Sequence, residues 1–379
     1  MDEPLRDYFL LERIFEQRQG LMTKASNTPR PFMPGLQLSQ FFYEEAVQPL
    51  LATHFPTVIY SAGLLGAGSE VLGFDTAQST DHDWGPRLLL FLADVDHKRY
   101  QLEIDQMLRR ELPHQIHGYP TNFATTGDAA VNHRVRILTV QNFWGELLSF
   151  NPTREPLVAD WLIFPEQILR SVTSGRVFHD GLGELARIRA MLHYYPHDIW
   201  LYLLACQWRR IAQEEAFMGR CGQVGDELGS RLVGARLVRD LMRLCFLMER
   251  QYAPYMKWFG TAFAQLRCAA ELGPILQQTL AASDWQTREG HLTAAYEWVA
   301  QMHNALGITA PLPTQVSSYY DRPFFVLHSD NFAEAIRAAI ASAEVRALPM
   351  HIGSIDQFVD STDVLSTPMR FNQLKVVYE

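Results

Sequence analysis

The feature that most constrains this chain is a change of pattern near residue 150. Between about residues 57 and 150, short apolar runs alternate with glycine turns; from "NPTREP" onward the pattern is almost wholly helical. In the first part, "TVIYSAGLLGAG" reads as a strand entering a tight glycine loop, and "DWGPRLLLFL" as a second, buried strand. "HKRYQLEIDQMLRREL" reads as a helix and "HRVRILTVQNFW" as a third strand, rich in β-branched residues. In the second part, "IWLYLLACQWRRIAQEEAF" puts Trp200, Leu204, Trp208 and Ile211 on one helix face. "ARLVRDLMRLCFLMER" does the same with Leu237, Leu241, Leu244 and Met248, and "FAEAIRAAIASAEVRAL" is a further helix. The expectation is an α+β chain: a small mixed-sheet domain followed by an all-α helical-bundle domain. The division falls between residues 150 and 160, giving domains 1–155 and 156–379. Ahead of the sheet, about residues 4–18 read as an amphipathic helix and "NTPRPFMPG" as a break. "SQFFYEEAV" then reads as a helix N-capped by Ser39 and stopped or kinked at Pro49. A cleft between two such domains is a natural ligand site.

Composition narrows the function classes. The 379 residues are 47% hydrophobic and 20% charged, enough to build a sizeable core. A net charge of −9 argues against a general nucleic-acid binder, whose affinity rests on clustered Lys and Arg, though a local basic patch stays open. Cys206, Cys221, Cys245 and Cys268 form no CxxC pair, so a zinc site or disulfide framework is not expected; free thiols in a reducing compartment are. The charged N-terminus lacks a signal-peptide apolar core, and "IWLYLLAC" is far too short to span a bilayer. A soluble cytoplasmic protein without membrane partners is the expectation.

The chemistry concentrates in "GAGSEVLGFDTAQSTDHDWGPRL", residues 66–88. Asp81 and Asp83 stand two apart, and on a strand they point the same way, with His82 opposite. Adjacent carboxylates repel unless something positive lies between them. Upstream, Gly66 to Ser69 form a small-residue loop whose backbone N–H groups suit a phosphate. Magnesium is usually held by one or two carboxylates plus substrate phosphates, so a phosphate loop beside paired aspartates implies a metal-bound nucleotide.

Gly68-Ser69, eleven residues, then Asp81-x-Asp83 resembles the signature of nucleotidyltransferases related to DNA polymerase β, which include the antibiotic adenylyltransferases of the kanamycin type. The longer string "GSEVLGFDTAQSTDHDWGP" resembles a bacterial family known only as a domain of unknown function within that superfamily. "QWRRIAQEEAFMGRCGQVGDELGS" and "MERQYAPYMKWF" extend the likeness over about residues 35–270. The resemblance implies that Gly68 and Ser69 contact the phosphates of a nucleoside triphosphate, and that Asp81 and Asp83 ligate Mg²⁺ or Mn²⁺. Paired metals roughly 3.5–4 Å apart activate an attacking hydroxyl and stabilise the leaving pyrophosphate.

The superfamily pattern also has a third carboxylate on a later strand. "HRVRILTVQNFW" contains no Asp or Glu, and Arg136 stands at the matching position, a reversal of charge. Three explanations follow. The chain has lost transfer activity and only binds; or Glu214 or Glu215 reaches the cleft from the helical domain; or the register is displaced and Asp128 or His133 fills in. Arg136 could also ion-pair with Asp83 when no metal is bound.

Several other residues have two readings. Arg87 suits a phosphate contact or a structural ion pair. Asp75 reads as a turn cap near the Ser69 loop. In "ERQYAPYMKWF", Lys257 could hold triphosphate, whereas Trp258 reads as core behind a helix end broken at Pro254. Trp200 and Trp208 read as core, Arg209, Arg210 and Arg220 as surface, and His179-Asp180 as a capping pair. The functional expectation is Mg-dependent transfer of a nucleoside monophosphate from a triphosphate to a hydroxyl-type acceptor, a small molecule or else a protein or a tRNA end. The alternative is a degenerate fold that binds a nucleotide or a partner.

Overall fold

The computed structural model describes residues 32–81, 83–125, 128–349 and 351–378; the helix expected over 4–18 lies outside them. Pro34–Glu379 is one compact unit of mixed α+β architecture, with a small sheet and many helices.

The chain enters as α1 (Gly35–Phe41), passes through a π-helical turn (Phe42–Val47) and continues as α2 (Gln48–His54). This corrects two expectations. Ser39 is not a cap but a buried mid-helix residue, whose hydroxyl accepts from the Arg87 amide at 3.3 Å. Pro49 does not end the helix. Proline lacks a donor and crowds the carbonyl four residues back, and the widened turn just before it accommodates both.

The central sheet has the order β5-β6-β2-β1-β7. Its strands are β1 (Tyr60–Leu64), β2 (Arg87–Leu92), β5 (Asn122–Thr125), β6 (Asp128–Leu138) and β7 (Arg176–Asp180); a minor hairpin, β3 (Gln115–Ile116) and β4 (Tyr119–Pro120), lies apart. β2 and β6 run parallel and the other pairs antiparallel. Between β1 and β2 lies α3 (Ser69–Leu72); α4 (Asp94–Glu111) is the crossover after β2. The expected third strand is too long. β6 stops at Leu138, Thr139 caps the next helix by accepting from the Asn142 amide at 3.1 Å, and "VQNFW" opens α5 (Val140–Leu148).

The parallel register Arg87↔Arg134, Leu89↔Arg136 and Phe91↔Leu138 puts these residues on one sheet face. There Leu89, Phe91 and Leu138 join Phe143 and Trp144 of α5 in a core that runs on through the helices to Phe371. The opposite face carries Leu88, Leu90 and Val135, toward α4. β7 comes from beyond residue 156 and pairs with β1 at Ser61↔Asp180, so the sheet takes strands from both sides of the expected division. Asp180 also accepts from Ser61 Oγ at 2.7 Å and from the Ala186 amide at 2.9 Å, the capping role read for His179-Asp180.

The helices are α6 (Val158–Ile163), α7 (Glu166–Thr173), α8 (Glu184–Met191), α9 (His197–Glu214), α10 (Phe217–Gln223), α11 (Glu227–Met248), α12 (Met256–Phe263), α13 (Ala269–Ala281) and α14 (Trp285–Ala305). Trp200 and Trp208 are buried, as expected. The helix expected over "FAEAIRAAIASAEVRAL" is two, α15 (Asp330–Ala339) and α16 (Ala343–Arg346); Ser342 caps the second by accepting from the Val345 amide. Among the described residues, all four cysteines are free and no helix is long and apolar enough to cross a membrane.

Candidate functional site

The Gly66–Ser69 loop separates two cavities and lines both. On one side, a cavity of about 480 Å³ is lined by Asp83, Arg87, Asp105, His133, Arg134 and Arg136. On the other, a cavity of about 450 Å³ is lined by Gly68, Ser69, Gln167, Tyr255, Lys257 and Trp258. Gly66, Ala67 and Leu147 belong to both walls.

The aspartates are not placed as expected. Asp81 ends a 3₁₀ turn (Ala77–Asp81), and β2 begins only at Arg87. Asp83 lies in the connection, exposed, with φ +52°. Gly85 and Pro86 account for the delay. Gly85 has φ +152°, and a Cβ there would meet the Phe123 ring at 2.9 Å; Pro86 then offers no ladder donor. The alternating-strand geometry for Asp81 and Asp83 therefore fails, yet the loop still brings Asp83 to the cavity wall.

The Gly-Ser loop is held from beneath. Glu70 is buried and ion-pairs with Arg87, whose guanidinium also donates to the Ala67 carbonyl at 3.0 Å. Of its two readings, Arg87 makes the structural ion pair while remaining in the cavity wall. Gly68 has φ +140°, and a Cβ on it would lie 2.5 Å from Arg87 Nη2 and 2.6 Å from Glu70 Oε2. Only glycine allows the loop to close over this pair. Asp75 accepts from the Gly35 amide at 2.7 Å and from Trp84 Nε1 at 3.0 Å, tying the connection to α1.

On the arginine face of β6, Arg136 pairs with Glu146 of α5 at 2.8 Å. A carboxylate is supplied from another element. Asp105 of α4 lines the cavity with Asp83, and its Oδ1 lies 3.1 Å from Nε2 of the buried His133. Burial holds the His133 pKa below the ordinary histidine value, against the pull of Asp105. Sequence reading missed Asp105 because its spacing with Arg109, an ion pair at 2.6 Å, looks like any exposed helix pair.

The helical candidates divide. Lys257 is exposed beside Ser69 in the second cavity, its Nζ 5.0 Å from the Trp258 ring centroid. Trp258, expected in the core, is only half buried; one face leans on Phe74 with ring centroids 5.5 Å apart, and it forms cavity wall. Glu214 and Glu215 line neither cavity. Glu214 pairs with Arg236 at 3.1 Å. Glu215 is buried and accepts from the Leu327 and Ser329 amides and from Ser329 Oγ at 2.9 Å. Burial raises its pKa to about 7.

Comparison with known proteins places one part of the chain. A family model described as a domain of unknown function (DUF4037) matches residues 161–259. That stretch contains both helical strings noted above, Glu214, Glu215 and Lys257, but not the Gly68–Asp83 segment. Among solved structures, the chain is similar to a nucleotidyltransferase-like protein from Exiguobacterium sibiricum at 9% identity and a TM-score of 0.32, over 80% of this chain and 89% of that one. No curated protein matches.

Proposed function

We propose that this protein transfers a nucleoside monophosphate from a metal-bound nucleoside triphosphate to a hydroxyl-type acceptor, releasing pyrophosphate. The observation that carries the reading is the Gly66–Ser69 loop standing between an Asp83 cavity and a Lys257 cavity. In this reading Gly68, Ser69 and Lys257 hold the phosphates, and the half-buried Trp258 offers a ring face to a base. Asp81 and Asp83 would hold Mg²⁺ or Mn²⁺, which would supply charge neutralisation at the reacting phosphate. Among the described residues, no three His, Cys, Asp or Glu side chains form a metal cage. Magnesium is commonly held by one or two carboxylates and the nucleotide itself, the arrangement this reading assigns to Asp81 and Asp83. Arg87, Arg134 and Arg136 line the first cavity, Arg87 and Arg136 in ion pairs with Glu70 and Glu146, and arginine is a side chain suited to polyphosphate contact. In this reading Asp105 and His133, which meet in the first cavity, take the acceptor's proton, the role left open by Arg136. In this reading the acceptor is a small molecule, and both cavities fall in the size range of small-molecule pockets.

Arg136 in place of a carboxylate favours one alternative, a nucleotide-binding or partner-binding module without turnover. A single experiment separates them. The protein is incubated with each labelled triphosphate, Mg²⁺ or Mn²⁺ and a metabolite extract, and pyrophosphate and labelled product are followed. Pyrophosphate release lost in Asp83→Ala supports transfer. Binding that depends on Asp83, with no pyrophosphate from any pairing, leaves the binding module.

A further inference from the structure

A third cavity, of about 460 Å³, lies between α9, α15 and α16 and shares no residue with the two just described. Its guanidinium groups come from separate elements, Arg209 from α9, Arg337 from α15 and Arg346 from α16, and His351 joins them from the loop beyond. Asp330, Glu334 and Arg337 recur at helical spacing, so one face of α15 supplies two carboxylates and one guanidinium. Yet among the described residues none of the three arginines forms an ion pair or donates a side-chain hydrogen bond, while Arg210, next to Arg209, pairs with Asp240. Arg209 Nε is moreover buried without a hydrogen-bond partner. A buried, unmatched donor is costly, and three guanidinium groups against two carboxylates leave the cavity an excess of positive charge. The remaining wall is mainly apolar, with Ala205, Ala333, Ile340 and Val345 prominent.

A partner able to offset these costs is an anion with an apolar body. We propose that this cavity is a binding site for a small phosphate monoester, its phosphate held by Arg209, Arg337 and Arg346 and its organic part seated on the alanine and aliphatic wall. A phosphate monoester brings three terminal acceptor oxygens and nearly two negative charges to three guanidinium groups, where a carboxylate brings two oxygens and one charge. The volume lies in the range of small-molecule pockets. His351, with φ +67°, lines the cavity from the loop; burial, and after it the charges of Arg209 and Arg337, hold its pKa below the ordinary value. A bound phosphate would reverse that local field.

The test uses the full chain in EDTA, titrated calorimetrically with phenyl phosphate, inorganic phosphate and benzoate. Saturable one-to-one binding of phenyl phosphate, tighter than the other two, is expected. Affinity should fall at least about tenfold in Arg209→Met and in the Arg337→Ala/Arg346→Ala double variant, the loss typical of a charge-assisted contact. It should be unchanged in Asp83→Ala and Lys257→Ala. Arg337 and Arg346 are exposed, so the double variant decides even if Arg209→Met fails to fold. Absence of saturable phenyl phosphate binding overturns the proposal. So does binding lost in Lys257→Ala but kept in the double variant, and benzoate binding more tightly overturns the phosphate assignment. Because the nucleotide cavities are probed by different variants, either reading can fail without the other.

Discussion

Gly68 owes its identity to two side chains that only the fold brings beneath it. The Gly-Ser pair stands out in the sequence, but the reason for the glycine does not, because Glu70 and Arg87 meet beneath it only in the folded chain. Gly68→Ala should destabilise the protein by about 1–3 kcal/mol through backbone strain and displacement of that pair, measured by urea denaturation. A cost near zero would show that the loop closes differently. Glu215 gives a pH-dependent counterpart. Its folded pKa of about 7 exceeds the ordinary glutamate value, so its neutral form stabilises the fold most fully at low pH. That contribution declines as pH rises from about 4.5 through 7. Glu215→Gln should therefore cost more stability at pH 5 than at pH 8, read as the difference in Tm from the parent protein at each pH. An equal or larger cost at pH 8 would mean that the buried carboxylate is already ionised at pH 5.

At the scale of elements, the interior of each segment was easier to read than its end. The long periodic helices α9 and α11 and the apolar β2 were legible because their burial repeats along the segment. The ends turned on single side chains. Thr139 converts the tail of an expected strand into α5, and Ser342 divides an expected helix. Thr139→Ala should cost about 1 kcal/mol in chemical denaturation, as for other N-caps. The displacement of β2 from Asp81 to Arg87 has the same origin. Gly85 and Pro86 fit the Phe123 ring and a ladder edge, and neither constraint is written in local periodicity.

For the whole molecule, the continuous core matters most. Phe91 and Phe143, in edge-to-face contact with centroids 5.5 Å apart, share one apolar cluster with Trp208 and Phe371. Sheet and helices that bury the same surface should unfold together. Calorimetry is expected to show one transition for residues 34–379, and Phe143→Ala should lower it by about 3–5 kcal/mol. Two separated transitions, with only one moved by Phe143→Ala, would mean that the strands and helices melt independently.

The sequence by itself determined the α+β class, the long helices, the core tryptophans and the Gly68-Ser69…Asp83 concentration of chemistry. These depend on composition and on periodicity within a few turns or strands. Tertiary structure alone decided that Asp105 joins Asp83 at one cavity wall, that Glu215 is committed to the Leu327–Ser329 backbone, and that Lys257 and Trp258 face Ser69. It also decided that Arg209, Arg337 and Arg346 line one cavity. Each of these is a contact between residues far apart in the chain, set by helix packing and strand pairing, and local spacing carries no record of such a contact.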